Sequence, residues 1–165
     1  MNKIVIGGGC FWGVQEYYRR LKGVYETRVG YAQGHVENPS YEMVKSQESG
    51  HIEVCEITYD ENEIALLKIV EHLFRFIDPF QKDAQAEDVG TQYQTGIFVG
   101  NEVELESVKN YVATLQSKVD KEITTRVELL DVFYEAEEYH QKYLVKNPTG
   151  YCHVDFSHIK KEEMK

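Results

Sequence analysis

A short β-rich run, "KIVI" (Lys3 to Ile6), stops at three consecutive glycines, Gly7-Gly8-Gly9. From Val14 the apolar residues Val14, Tyr17, Tyr18 and Leu21 then recur at helical spacing. This pattern constrains the chain more than any other: a strand, a tight turn and a helix must follow one another within about twenty residues. The turn carries "GGGCFWG" (Gly7 to Gly13), where the only tryptophan, Trp12, lies two residues after Cys10.

If the turn feeds directly into a helix, Cys10 lies at the helix start. Unpaired N–H groups and the helix dipole favour negative charge there, so a thiolate is expected. The thiolate is the nucleophilic form of cysteine, and the glycines leave room for a substrate to approach the sulfur. A buried cysteine in a glycine-rich turn is the alternative. Phe11 and Trp12 count against it, because both cannot point inward from one helical turn. One of them is expected to line a concavity suited to an apolar group such as a methyl thioether.

Further along, "GVYETRVGYAQG" (Gly23 to Gly34) reads as a second strand, followed by a polar loop through Asn38 and Pro39. "HIEVCEITYD" reads as a strand that is apolar on both faces around Glu53. "EIALLKIVEHLFRFID" carries two apolar stripes, Leu66, Ile69, Leu73, Phe76 and Ile64, Leu67, Phe74, Ile77, and predicts a well-buried helix ending before Pro79. A polar loop from Lys82 to Thr95 precedes the short strand "GIFVG". Leu105, Val108, Val112, Leu115 and Val119 predict an amphipathic helix, and "TRVELLDVF" a final strand. Strands interleaved with helices predict an α+β fold in two layers with a mixed central sheet. The 165 residues are expected to form one catalytic domain, with about 147–165 as a mobile or surface-wrapping tail.

The net charge of −10 and pI near 5.1 repel phosphate and anionic lipid, so neither nucleic acid nor membrane is an expected partner. No apolar run reaches the roughly 20 residues of a membrane span, and the amino terminus does not read as a signal peptide. Three scattered cysteines suggest reduced or catalytic thiols rather than a disulfide framework, and a cytoplasmic monomer is expected. Zinc-type Cys and His spacings are absent from the sequence, so no metal and no organic cofactor is expected.

"GGGCFWG" resembles the active-site signature of the A-type peptide methionine sulfoxide reductases. "GYAQGHVENPSY", "GHIEV", "DVGTQY" and "AEEYHQKYLVKNPTGYC" resemble further signatures of that family, in its order and over nearly the whole chain. One departure is Lys45, which stands where many relatives carry a cysteine outside the central chemistry. The fold implied is a two-layer α/β sandwich around a ferredoxin-like plait core, with a loop-rich C-terminal tail.

The activity implied is reduction of the S epimer of methionine sulfoxide, free or in proteins. By this resemblance Cys10 is the nucleophile and becomes a sulfenic acid, and Glu53 is the general acid. Tyr41 and Tyr93 hydrogen-bond the sulfoxide oxygen, Asp88 is a supporting carboxylate, and Phe11 and Trp12 hold the substrate methyl. Cys152 matches the resolving cysteine, which implies a Cys10–Cys152 disulfide reduced by thioredoxin. Burial of Glu53 among Cys55, Ile57 and Tyr59 would raise its pKa as an acid requires.

Cys55, mid-strand among apolar residues, reads as an inert core thiol. His140 is read as structural and left outside the site, and the role of His51 stays open. Two other functions fit parts of the sequence. A non-redox thiol enzyme, such as an acyl-transfer hydrolase, would pair Cys10 with a histidine; a binding module would grip methionine side chains without turnover.

Overall fold

In the computed structural model, which describes residues 1–165, the polypeptide begins with β1 (Asn2–Gly8), α1 (Phe11–Arg19), β2 (Val24–Ala32), α2 (Tyr41–Lys45), β3 (Ile52–Tyr59) and α3 (Leu66–Phe76). A two-residue hairpin pair, β4 (Ala84–Gln85) and β5 (Asp88–Val89), is followed by β6 (Thr95–Val99), α4 (Glu102–Gln116), β7 (Arg126–Leu129), β8 (Phe133–Glu135) and α5 (Tyr143–Lys146).

The main sheet has the order β7-β6-β1-β3-β2-β8, with β6 and β7 parallel and every other pair antiparallel. Its four central strands, β6-β1-β3-β2, together with α1 and α3 form the ferredoxin-like plait, and the sheet is mixed as the sequence predicts. The apolar stripe of α1 is buried: Val14, Tyr17 and Tyr18, with Leu21 just past the helix end, are all 1 % exposed or less. Burial of the two phenols is matched by partners, Tyr17 at 2.7 Å from His72 Nδ1 and Tyr18 donating to the Ile69 carbonyl at 2.8 Å.

"TRVELLDVF" is not one strand. It divides into β7 and β8, which lie at opposite edges of the sheet. Six flat strands would hold those edges about 24 Å apart at about 4.8 Å per spacing. Four Cα steps from Leu129 to Phe133 reach about 14 Å at most. The sheet must therefore curl until its edges approach one another. Gln33, just after β2, stitches the seam: its amide donates to Glu128 Oε1 and the Leu129 carbonyl, and its oxygen accepts from the N–H groups of Asp131 and Val132.

Two helix boundaries also differ from the sequence reading, and one short helix is additional to it. The third helix starts at Leu66 because Asp60 ties residues 60–64 into a turn, its carboxylate accepting from Asn62 N and its carbonyl from the N–H groups of Glu63 and Ile64. Of the second stripe, Leu67 is left 37 % exposed. α4 ends at Gln116, so Val119 lies beyond it at the surface. The loop through Asn38 and Pro39 leads into α2, a one-turn helix capped by Ser40, whose side chain accepts from Met43 N at 3.3 Å.

Residues after Asn147 lie over α1 and α3. Glu163 takes two hydrogen bonds from the Arg75 guanidinium at 2.8 and 2.9 Å, its carbonyl accepts from Lys22 N, and Val154 and Ile159 are buried. No helix is long and apolar enough to cross a membrane.

Candidate active site

The backbone at Gly9 has φ +87°, and a Cβ there would come within 2.7 Å of Gln85 Cβ, so only glycine fits the turn between β1 and α1. Cys10 follows as the N-cap of α1 and is 8 % exposed. Burial, followed by the adjacent Glu53 carboxyl, pushes the Cys10 thiol well above its ordinary range, against the Trp12 backbone N–H, which favours the thiolate. The expectation of a resting thiolate is therefore overturned. The helix start acts in the expected direction, but desolvation outweighs it.

Glu53 lies on β3, opposite Tyr31 of β2, and is 2 % exposed. Its Oε1 accepts the backbone N–H of Phe11 at 3.1 Å. Burial lifts its pKa to about 8, opposed by the Phe11 N–H and assisted by Asp88. At neutral pH this carboxyl holds its proton directly beside the first turn of α1.

Tyr41 opens α2 and Tyr93 ends a single 3-10 turn at Thr91–Tyr93; both are half-buried. Burial raises both phenols, that of Tyr41 to about 12, and each also feels Glu53 and Cys10. Tyr93 feels Tyr41 and Asp88 as well. Such mutual fields draw Cys10, Glu53, Tyr41, Tyr93 and Asp88 into one cluster. Asp88, on β5, accepts from the Tyr151 hydroxyl at 2.8 Å, which connects the cluster to the tail.

Phe11 is 1 % exposed and packs against Tyr31 and His140, with ring centroids 5.7 and 5.1 Å away. Trp12 is half-buried and thus the more accessible of the two. Its indole stacks on Tyr143 at 3.8 Å and donates to His140 Nδ1 at 3.0 Å. His140, which the sequence reading left outside the site, is 1 % exposed and packs on Phe11, Trp12 and Tyr41. Its only sequence signal is its place in "EYHQKY".

Glu137 was missed altogether. It accepts from the Tyr31 hydroxyl at 2.7 Å and from Tyr41 N at 2.9 Å, and so fixes the start of α2. His51 lies outside the cluster and ties the loop after β2, accepting from Gly34 N at 3.1 Å and donating to the Val36 carbonyl at 2.7 Å.

Cys152 is half-buried in the tail and is a free thiol, as are Cys10 and Cys55. Cys55 is fully buried mid-strand, and burial pushes its thiol up. No three His, Cys, Asp or Glu side chains gather as a metal site. The clefts of about 300 and 460 Å³, lined by residues such as Gln81, Asp83 and Arg126 or Arg19, Arg28 and Lys142, contain none of the clustered residues. Chemistry, rather than cavity size, marks the site.

A curled α+β domain that sets a cysteine at a helix start, beside a protonated carboxyl and two phenols, defines a thiol-dependent oxidoreductase. The chain belongs to the peptide methionine sulfoxide reductase family, whose model, described as "Peptide methionine sulfoxide reductase", matches residues 2–165. It is 52% identical over 155 residues to the peptide methionine sulfoxide reductase MsrA of Alkaliphilus metalliredigens, covering 94% of this chain and 98% of that one. The reduced form of Mxr1 from Saccharomyces cerevisiae superposes with a TM-score of 0.84 at 34% identity, covering 91% of this chain and 87% of that one. Mxr1 in complex with Trx2 matches with a TM-score of 0.59 at 26% identity, over 86% of this chain and 83% of that one.

Proposed function

We propose that the chain reduces the S epimer of methionine sulfoxide, free or in peptides and proteins, with Cys10 as nucleophile. The observation that carries this mechanism is the buried Glu53 carboxyl, which accepts from Phe11 N at 3.1 Å at the start of α1 next to Cys10 and whose burial raises its pKa. Phe11 and Trp12 hold the substrate methyl, while the phenols of Tyr41 and Tyr93 donate to the sulfoxide oxygen. Glu53 gives its proton to that oxygen as Cys10 Sγ attacks the sulfur, and the Cys10 thiol proton restores the acid. The S–O bond breaks in favour of the cysteine, leaving a thioether and Cys10–SOH. Asp88 supports the carboxyl electrostatically and anchors Tyr151.

A neutral resting thiol suits this order of events. The proton leaves sulfur only when the sulfoxide is being protonated, so Cys10 is guarded from other oxidants between turnovers. Cys152 then attacks Cys10–SOH, forming the Cys10–Cys152 disulfide and releasing water. Thioredoxin reduces the disulfide at the expense of its own dithiol, a reading supported by the Trx2 complex of the yeast relative. The thiols carry both electrons, so no metal or organic cofactor enters the scheme.

The whole chain acts as one catalytic domain, with the stretch from about residue 147 as a surface-wrapping tail that carries Cys152. A charge of −10 supports a monomer that works in the cytoplasm without nucleic acid or membrane partners. No histidine hydrogen-bonds Cys10, which argues against the acyl-transfer reading. Mass spectrometry after a single turnover with dimedone present tests the scheme: it predicts a Cys10 adduct that accumulates in Cys152→Ser, and an unmodified Cys10 would contradict it.

A further inference from the structure

Cys152 rests against a helix position that has no side chain. Cys10 is the N-cap of α1, so Gly13 occupies the third helical position, and the side chains at these two positions face each other at a helix start. A Cβ on Gly13 would come within 2.9 Å of Cys152 Sγ and 2.8 Å of Val154 Cγ2. Both contacts are tighter than side chains tolerate, so the thiol occupies the space that any residue other than glycine would fill. The sulfur is held in place by Val154, whose N–H donates to Sγ at 3.4 Å and whose carbonyl lies 3.5 Å from it.

The next residue fastens the same segment to the glycine turn. His153 Nε2 lies 2.8 Å from the Gly8 carbonyl, and because a carbonyl only accepts, Nε2 carries the proton. Val154 is buried beneath it at 7 % exposure. Residues 152–154 thus form a strap over the start of α1, anchored on both sides of Cys10.

Resting on the proposed resolving role of Cys152, we infer that Gly13 is a positioning residue for disulfide formation. Its bare Cα is the seat that presents the Cys152 sulfur to Cys10, and the His153–Gly8 bond holds the strap there. In the step so served, Cys152 Sγ bonds to Cys10 Sγ, the S–O bond of the sulfenic acid breaks, and hydroxide leaves with the Cys152 proton as water. The seat makes this a local approach by an already docked thiol.

The test mixes reduced full-length enzyme with excess methionine sulfoxide and no reductant, and follows methionine release and thiol loss by rapid quench. In Gly13→Ala, methionine release should stay within twofold of wild type, while disulfide formation slows at least tenfold and the dimedone adduct of Cys10 accumulates. Alanine is a better helix former than glycine, so α1 itself persists. His153→Ala leaves α1 untouched and should slow the same step at least threefold. Wild-type disulfide formation in either variant, or equal slowing of both steps, overturns the role of Gly13. Absence of methionine release from the wild-type enzyme would instead contradict the reductase reading.

Discussion

Trp12 donates its indole N–H to His140 Nδ1 at 3.0 Å, which leaves the His140 proton on Nε2 and locks the indole against Tyr143. A buried imidazole thereby sets the angle of the Trp12 ring, one of the two aromatic residues proposed to hold the substrate methyl. Burial also lowers the His140 pKa, which keeps the ring neutral and able to accept.

His140→Ala should free the indole. We expect KM for methionine sulfoxide to rise about five- to thirtyfold, equivalent to about 1–2 kcal/mol for a lost buried hydrogen bond. Because Trp12 is the only tryptophan, its emission should shift to the red in the same variant. Unchanged emission together with unchanged KM would refute the positioning role.

Glu53→Gln keeps an acceptor for the Phe11 N–H and removes the transferable proton. The first methionine-forming turnover should slow by about 10²–10⁴-fold, the usual contribution of a positioned acid. In the wild type the same step should decline as pH rises through about 8, where Glu53 loses its proton. Single-turnover rates from pH 6 to 9.5 provide the check.

The same substitution should stabilise the fold. A carboxyl whose folded pKa is raised binds more protons folded than unfolded, so its contribution is fully present below the ordinary carboxylate pKa and is lost as pH rises to about 8. Glu53→Gln should therefore gain little over wild type near pH 4 and on the order of a few kcal/mol near pH 8, at about 1.4 kcal/mol per unit of pKa. Urea unfolding at the two pH values measures this difference.

Of the three cysteines, only Cys10 and Cys152 should matter for cycling. Cys152→Ser should release one methionine per chain and then stall with thioredoxin, whereas Cys55→Ala should cycle at the wild-type rate because Cys55 is sealed in the core. Stalling of Cys55→Ala in a folded state would assign it a redox role.

Much of the plait was legible because α1, β3 and α3 announce themselves through local periodicity. The curl was not. β7 and β8 read as one run in "TRVELLDVF", and only the distance between sheet edges, together with the Gln33 seam, divides them. The charge state of Cys10 differs for a related reason: sequence shows a helix start, but not the burial that outweighs it once the chain has folded around the thiol. Glu137 and His140 act through contacts spanning about a hundred residues or more, to Tyr31, Tyr41 and Trp12, which no local spacing encodes.

The most direct test of the account is turnover of separated S and R epimers of a methionine sulfoxide peptide, with dithiothreitol and with thioredoxin as reductant. The account predicts reduction of the S epimer alone with either reductant, and loss of the thioredoxin-driven rate in Cys152→Ser. Equal reduction of both epimers, or none by folded enzyme with Cys10 reduced, would contradict it.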